Sequence, residues 1–308
     1  MIYTVTLNPA LDRAITVDSL LPDDTVRVKT ETDYAAGKGI DVSRVIKELG
    51  GHSVALGLVG GYDGLRLEGL LLNAGVVSDF TRIAGETRTN ILLREESADR
   101  QFVISASGPE VSAAELGALF QKIRGLSDAG YLILSGSLPL GVTPEIYGQL
   151  ILAGRALGAV TVVDADGAAL QEAVAHAPCC IKPNIHELER LVDRTLETEA
   201  EILAAGRDLL DRGLEQVLVS RGRQGLLLCT RDGALKARGP EIDAQSTVGA
   251  GDSTVAGFIL ARSRGLEVGE CLRWSCAAGV ATAMTPGTEL CHRKDVEKIL
   301  PQIEVTEL

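Results

Sequence analysis

Basic charge is scarce in this sequence. The 308 residues carry 30 Lys and Arg against 42 Asp and Glu, a formal net charge of −12 at pH 7. Proteins that bind nucleic acid or an anionic membrane usually present a basic face. Aromatic residues make up only 3% of the chain, so few side chains are available to stack on bases. The composition argues against nucleic acid and membranes as partners, although a local basic pocket remains open.

Long apolar runs and grouped metal ligands are missing as well. No apolar run approaches the roughly 20 residues of a spanning helix, and the opening MIYTVTLNPALDR lacks the features of a secretory signal. The six cysteines form no C-x-x-C pair and the four histidines are scattered, so we expect no structural zinc site. We interpret the cysteines as reduced, mostly buried thiols and predict a cytoplasmic protein.

The chain does contain a regular alternation of apolar strands with helices. Helices are predicted at 37–51, 64–74, 112–124, 144–157, 199–212 and 251–284, the last with a break near Gly265. Strands are predicted at 2–7, 53–59, 131–136, 160–166, 179–184, 216–222 and 226–230. Near-continuous apolar strands in this rhythm are typical of a parallel sheet covered on both faces. We therefore predict a single α/β domain over 1–308 with three α/β/α layers.

Two polar, β-rich segments, about 13–36 and 87–106, do not fit that rhythm. Within the second, 89–95 and 100–105 have the pattern of a hairpin. We predict that the two segments form a small β-sheet set off from the core, as a lid over a site. Ligands of such folds bind beyond the carboxyl ends of the parallel strands.

The segment STVGAGDSTVAGF (246–258) carries the strongest chemical signal. The turn at Gly249, Ala250 and Gly251 leaves backbone N–H groups free at a helix start, which suits a phosphoryl group in transfer. Asp252 follows in the first turn, where we expect the helix end to keep it ionised and able to act as a base. Spacing alone equally permits a capping role for Asp252, with the glycines serving close packing. The Walker, Rossmann and hydrolase fingerprints are absent from the chain.

The motif T-V-G-A-G-D-S-x-x-A-G resembles the C-terminal signature of the PfkB/ribokinase family of sugar kinases. Residues 37–43, G-K-G-I-D-V-S, are similar to the family's second signature, and TVTLNPALD, SGSLP, KPNIHEL and PGTELC follow in the family's order. The resemblance spans essentially the whole chain and implies a ribokinase-like fold. The opening TVTLNP-x-x-D most resembles the phosphosugar branch, whose members include 1-phosphofructokinases and tagatose-6-phosphate kinases.

The resemblance implies phosphoryl transfer from MgATP, with Asp252 as the base and the amides of Gly249, Ala250 and Gly251 as the anion hole. It implies sugar contacts from Asp12 and Lys38, close backbone approach at Gly37 and Gly39, and a hydrogen bond from Ser137. Without the family resemblance, a turn residue is the favoured role for Asp12 and a solvated surface residue the ordinary role for Lys38.

Two further groups are implied by the same resemblance. Arg27 and Arg88 match phosphate contacts of the branch, and paired guanidinium hydrogen bonds suit a phosphate. Lys182, Asn184, Ser220, Gly222 and Gly225 match contacts to ATP. Glu187 would organise Mg²⁺ through water. A Glu at a helix start is also explained by its favourable interaction with the positive end of the helix dipole.

The chain departs from the family at two positions of the first signature. Asp41 stands where the family has Asn, and it still accepts from a sugar hydroxyl but lacks amide donors; Ala36 replaces the first glycine. We expect fructose 1-phosphate as the acceptor, converted to fructose 1,6-bisphosphate. Tagatose 6-phosphate, fructose 6-phosphate, an unphosphorylated sugar or nucleoside, and a catalytically silent regulator on this fold remain alternatives. The family also suggests a homodimer formed through the lids.

Overall fold

The computed structural model describes all 308 residues, which form fifteen strands and ten α-helices. The strands are β1 (Ile2–Thr6), β2 (Ala10–Val17), β3 (Val28–Ala36), β4 (Ser53–Val59), β5 (Val77–Ser78), β6 (Thr81–Arg82), β7 (Arg88–Glu95), β8 (Arg100–Ile104), β9 (Tyr131–Ser135), β10 (Val160–Asp164), β11 (Cys180–Ile181), β12 (Gln216–Ser220), β13 (Leu226–Thr230), β14 (Gly233–Arg238) and β15 (Glu304–Glu307). The helices are α1 (Lys38–Glu48), α2 (Gly61–Asn73), α3 (Ala113–Arg124), α4 (Glu145–Ala156), α5 (Gly167–Ala175), α6 (Ile185–Val192), α7 (Glu199–Asp211), α8 (Ala250–Ser263), α9 (Val268–Ala283) and α10 (Arg293–Ile299).

Eleven strands form one large, mostly parallel sheet with β1 inside it. β1 pairs in parallel with β4 and β9, and β10, β11 and β12 continue in parallel. β13, β14 and β15 extend that edge as antiparallel strands. The reversal follows from the short turn between β12 and β13, because a parallel strand needs a much longer crossover. The predicted parallel sheet is confirmed for the centre of the molecule.

Helices cover both faces of this sheet, as predicted. Along β9, Leu132 and Leu134 belong to the core beneath α3 to α7, whereas Ile133 points into the core beneath α1, α8, α9 and α10. Successive side chains of a strand point to opposite faces, so a run without polar interruptions is what a doubly covered strand requires. The three-layer α/β/α prediction is confirmed.

The sequence reading missed some elements and misjudged the length of others. α5, α10, β5, β6, β14 and β15 were not predicted, and α2 begins at Gly61 rather than at 64. The strand expected over 179–184 forms a ladder at Cys180 and Ile181 and only an isolated bridge from Asn184 to Ser220, since Pro183 lacks the N–H that a longer ladder needs. The break near Gly265 separates α8 from α9 as expected.

The remaining four strands form a separate small sheet in the order β3-β2-β7-β8. β2 and β3 form one antiparallel hairpin, β7 and β8 form another, and β2 joins them in parallel with β7. Since β2 starts at Ala10, only three residues separate it from the carboxyl end of β1. This short link places the beginning of the small sheet at the ligand-binding edge of the large one. No helix of the molecule combines the length and apolarity needed to cross a membrane.

Candidate active site

Four charged side chains converge at the carboxyl edge of the large sheet. Asp164 is the last residue of β10, Lys182 follows β11, Lys38 opens α1 and Asp252 lies in the first turn of α8. Lys38 Nζ lies 2.8 Å from Asp164 Oδ1 and donates a hydrogen bond to it, and Lys182 Nζ lies 3.4 Å from Asp164 Oδ2. The Asp164 carboxylate therefore joins two ammonium groups that come from distant parts of the chain.

The charges of this cluster determine its protonation. Burial acts to raise the pKa of Asp164, but Lys182 and Lys38 outweigh burial and hold that pKa below its usual range. Burial acts to lower the pKa of Lys38, but Asp164 and Asp252 outweigh it and raise that pKa. Asp164 therefore stays ionised and Lys38 stays cationic at neutral pH.

Asp252 behaves differently from the sequence expectation. Burial, followed by the nearby carboxylates of Asp164 and Asp41, raises the pKa of Asp252 well above its usual value, so the helix end does not by itself keep the group ionised. Lys38 and Lys182 lower this pKa but do not outweigh those causes. A helix dipole is worth about 0.3–1 kcal/mol at an exposed site, which is less than the cost of burying a carboxylate beside two others. The direction of this pKa shift is therefore opposite to the one that the helix end alone would give.

The glycine turn before α8 presents free backbone donors. Gly249 is the N-cap residue and has a left-handed conformation, with φ +73° and ψ −7°. The amides of Gly249 and Gly251 donate no backbone hydrogen bond, and that of Ala250 has only a 3.4 Å contact with Thr247 O. A Cβ atom added to Gly251 would lie 3.3 Å from Lys182 Nζ, so this ammonium borders the turn. Together the amides and Lys182 form a positive concave surface suited to an anion.

A cavity of about 1130 Å³ opens beside this turn. It contains Asp252, Lys38 and Asp164, and it is lined by all six residues predicted for ATP and Mg²⁺: Lys182, Asn184, Glu187, Ser220, Gly222 and Gly225. Small residues of α9, Cys276 and Gly279 among them, form part of its wall. The structure thus brings the predicted catalytic and nucleotide residues into one space. At Gly225, a Cβ would meet Ala237 O at 2.0 Å, so strand packing already requires that glycine.

Asn184 and Glu187 form a reciprocal cap at the start of α6. Asn184 Oδ1 accepts from Glu187 N at 2.9 Å, and Glu187 Oε2 accepts from Asn184 N at 2.8 Å. Glu187 Oε1 has no partner, and the side chain lines the cavity. No three His, Cys, Asp or Glu side chains converge to enclose a metal ion. One free carboxylate oxygen fits Mg²⁺, which commonly keeps several waters and takes its other ligands from substrate phosphates.

A second carboxylate pair lies where the small sheet meets α1. Asp12 Oδ1 accepts from Asn90 Nδ2 at 2.7 Å, and Asp41 Oδ1 accepts from Arg44 Nη1 at 2.9 Å. Burial raises the pKa of Asp12 despite that hydrogen bond. Burial, with a further contribution from Asp12, raises the pKa of Asp41 to about 6. Asp41 also raises the pKa of Asp252, so this pair interacts electrostatically with the charged cluster at the edge of the large sheet.

The two arginines predicted for a substrate phosphate are not brought together within one chain. Arg88 donates to Ala106 O at 2.8 Å and to Asn8 O at 3.0 Å, and its buried Nε has no partner. In the small sheet Arg88 pairs with Ala10, whereas Val28, next to exposed Arg27, pairs with Val17. Seven residues of strand span about 23 Å. Arg27 and Arg88 therefore lie near opposite ends of the small sheet.

The remaining predicted sugar contacts lie near the end of β1. Ser137 is exposed, and its Oγ accepts from Asn8 Nδ2 at 3.3 Å. A Cβ at Gly37 would lie 2.8 Å from Thr6 Cγ2, and one at Gly39 would lie 2.6 Å from Thr6 Oγ1. Packing of α1 against β1 therefore requires both glycines, independently of any approach to a sugar.

Sequence reasoning did not select three residues of this site. Asp164 lies within the strand predicted over 160–166 and was not selected, although the carboxyl end of a parallel strand is a usual place for a functional side chain. The Asp41–Arg44 pair could have been found from its i, i+3 spacing on α1. Asn90 reaches Asp12 only because β2 and β7 align them in register, which no local pattern indicates.

Comparison with known proteins places this geometry in a family. The family model for pfkB family carbohydrate kinases matches residues 5–295. A relative from Bacillus licheniformis named D-tagatose-1-phosphate kinase is 37% identical, and one from Bacillus subtilis named 1-phosphofructokinase is 33% identical; each match covers 100% of both chains.

Solved structures agree with these relatives. Phosphofructokinase-2 from Escherichia coli in complex with fructose-6-phosphate has a TM-score of 0.91 at 32% identity, over 97% of this chain and 98% of that one. Ribokinase from Arabidopsis thaliana complexed with ribose and ATP, at 24% identity over 97% and 98% of the two chains, has a TM-score of 0.78 and shares the fold. The predicted family and ribokinase-like fold are confirmed: the chain belongs to the pfkB family of carbohydrate kinases.

Proposed function

We propose that this kinase transfers the γ-phosphoryl group of ATP to a hydroxyl of a phosphorylated ketohexose, with fructose 1-phosphate as the first choice. The observation that carries the proposal is the position of Asp252, a buried carboxylate of raised pKa beside the free amides of the Gly249–Gly251 turn. A base and an anion hole in contact with one cavity are the two parts that phosphoryl transfer to an alcohol requires.

Asp252 is the base in this proposal. Its raised pKa makes it a better proton acceptor for a sugar hydroxyl than an ordinary carboxylate, provided that it is ionised when both substrates are bound. The amides of Gly249, Ala250 and Gly251 with Lys182 stabilise the negative charge of the phosphoryl group. Mg²⁺, held by Glu187 through water, would neutralise charge on the ATP phosphates when bound.

Asp12, Arg88 and Asp41 orient the sugar in this proposal. The carboxylate oxygens of Asp12 and Asp41 accept hydrogen bonds from sugar hydroxyls. Arg88 binds the phosphate that the sugar already carries. The names of the Bacillus subtilis and Bacillus licheniformis relatives support a ketohexose 1-phosphate, and the second of them makes tagatose 1-phosphate a specific rival acceptor. The intact Asp252 and glycine turn argue against a silent regulator.

A coupled ADP-release assay across a sugar panel tests the proposal. Fructose 1-phosphate, tagatose 1-phosphate, tagatose 6-phosphate, fructose 6-phosphate, fructose and ribose are compared by kcat/KM, with the wild type and Asp252→Asn. We expect fructose 1-phosphate to give the highest value. The Asn variant should lose most of kcat while its affinities for ATP and sugar stay within several-fold. Highest activity with an unphosphorylated sugar would contradict the substrate class, and near-normal turnover of the variant would contradict the base.

The proposal includes a homodimer in which the small sheets of two copies pack as lids. Apolar side chains on both edge strands of the small sheet support it: Val28 is 50% exposed, Val103 63% and Ile104 59%. When two small sheets pack antiparallel, the end of one sheet that carries Arg27 lies over the end of the other that carries Arg88. Arg27 of one copy then approaches Arg88 of the second, which gives both arginines access to one phosphate.

A single substitution at each of two exposed valines tests the dimer. Val103→Glu, on edge strand β8, is expected to give the monomer mass in light scattering, because a buried unpaired carboxylate is costly. Val77→Glu, at a 60% exposed valine of the large sheet, should leave the mass at that of the wild type. A monomeric wild type would contradict the dimer without affecting the kinase assay. We also propose a cytoplasmic location, since the cytoplasm supplies ATP.

A further inference from the structure

A second cavity lies beside the candidate active site and has no part in the chemistry described so far. Its volume is about 600 Å³, and it lies between the beginnings of α6 and α7 and the turn that joins β12 to β13. Arg223 and Arg238 line this cavity and the nucleotide cavity. The two cavities therefore share a wall that carries two guanidinium groups.

The charge of this cavity is opposite to that of the chain, whose net charge is −12. Its lining has four cationic and two acidic side chains: Arg221, Arg223, Lys236, Arg238, Glu197 and Glu199. Glu199 Oε2 already accepts from Arg221 Nη1 at 2.9 Å and from Lys236 Nζ at 2.7 Å. The guanidinium groups of Arg223 and Arg238 form neither a hydrogen bond nor an ion pair within the chain. The wall thus keeps an excess of positive charge without an internal partner.

Arg221 is a buried cation in this wall with one unpaired donor. Its side chain is only 5% exposed, and its Nε has no hydrogen-bond partner, although Nη2 donates to Gln224 O at 3.1 Å. A buried donor left unpaired costs about 1–3 kcal/mol, and more when it is charged. The charge of Arg221 therefore adds to the positive potential of the wall, while its buried Nε stays out of contact with the cavity.

Apolar side chains complete the lining. Ile185, Leu196 and Ile202 contribute to the wall from α6, α7 and the segment between them. Cationic donors beside an apolar surface suit an anion attached to a small carbon skeleton better than a bare inorganic ion.

We propose that this second cavity binds a small organic phosphate other than the two substrates and that its occupation weakens binding of ATP. The coupling arises because both ligands are anionic and both use the free charges of Arg223 and Arg238. It must act equally in both directions, since a coupling free energy between two sites is reciprocal. The ATP part of this inference rests on the proposed function, whereas the binding part does not.

Calorimetric titration with phenyl phosphate and with inorganic phosphate tests the site. Lys236→Ala and Glu199→Gln change residues that line only the second cavity, and Lys294→Ala is the control, at an exposed lysine outside both cavities. We expect Lys236→Ala to weaken the binding of phenyl phosphate about fivefold and Glu199→Gln to strengthen it by a similar factor. The control should match the wild type. Phenyl phosphate should bind more tightly than inorganic phosphate, because only it contacts the apolar wall.

Three results would overturn the assignment. The first is an absence of phenyl phosphate binding to the wild type. The second is binding that neither cavity substitution changes, which would place the anion elsewhere, such as in the active site. The third is equal affinity for both phosphates, which would exclude an organic ligand.

The coupling is measured separately with a non-hydrolysable ATP analogue. Its Kd should rise in the presence of phenyl phosphate for the wild type and rise much less for Lys236→Ala. Unchanged Kd values would overturn the coupling. No turnover is measured in this experiment. A failure of the coupling can therefore be distinguished from a failure of the proposed kinase activity.

Discussion

Asp41→Asn should stabilise the ligand-free protein at neutral pH. The Asp41 side chain is only 16% exposed, and burial raises its pKa to about 6 from a usual 3.8. A pKa change of one unit corresponds to about 1.36 kcal/mol, so the ionised carboxylate costs about 3 kcal/mol of folding free energy. Asn keeps the shape and an oxygen that can accept from Arg44, and it removes the charge responsible for this cost.

The sign of the pH dependence follows from the direction of the shift. The folded pKa lies above the unfolded one, so between about pH 4 and 6 the folded state holds more of the Asp41 proton than the unfolded state does. The Asp41 carboxylate therefore lowers the stability of the wild type as the pH rises through this window, and Asp41→Asn removes that contribution. The gain from the substitution should be about 1.6 kcal/mol at pH 5 and about 3 kcal/mol at pH 8.

Urea unfolding at pH 5, 6, 7 and 8 measures this gain. Asp232→Asn is the matched control, because Asp232 is an exposed turn residue without an ion pair; its effect should be small and independent of pH. A gain for Asp41→Asn that does not grow between pH 5 and 8 would refute the reasoning, as would a loss of stability at every pH. In the sugar panel, the same variant should shift the preference among phosphosugars without abolishing turnover.

Two further predictions concern the sugar phosphate and the sheet. Arg88→Ala should raise the KM for fructose 1-phosphate about ten- to a hundredfold and leave that for ATP nearly unchanged, since charged hydrogen bonds contribute about 1.5–3 kcal/mol. Arg88→Lys should restore the KM for fructose 1-phosphate only in part. Arg94→Ala, on the same strand, is the control. A larger effect of Arg88→Ala on the KM for ATP would contradict the phosphate contact. Gly225→Ala should lower the free energy of unfolding by at least about 1–3 kcal/mol, because φ is +81° and the new Cβ would meet Ala237 O. Gly69→Ala, on α2 with open space around it, should raise that free energy by up to about 1 kcal/mol in the same urea titration; equal effects at the two sites would contradict the packing argument.

The candidate site was predictable where short segments carry its chemistry. The glycine turn with Asp252, the signature at 37–43 and the strand-end segments at 182–187 and 220–225 all contribute to the same cavity. Their convergence follows from parallel strands, whose carboxyl ends share one edge. The roles of Asp164 and Arg44 were not predicted. These roles depend on contacts with Lys38, Lys182 and Asp41, which the structure shows.

The sequence by itself determined the elements and their order, since hydrophobic periodicity, capping and glycine turns act over a few residues. The rhythm of strands and helices predicted the layered core, and two polar, β-rich segments predicted the small sheet. Only the tertiary structure decided the electrostatics and the distances between segments. It buried Asp252 beside Asp164 and Asp41, which reversed the expected direction of its pKa, and it separated Arg27 from Arg88 along the small sheet. The reason is physical: burial and charge–charge energies depend on positions in space, and neighbours from distant parts of the chain set them.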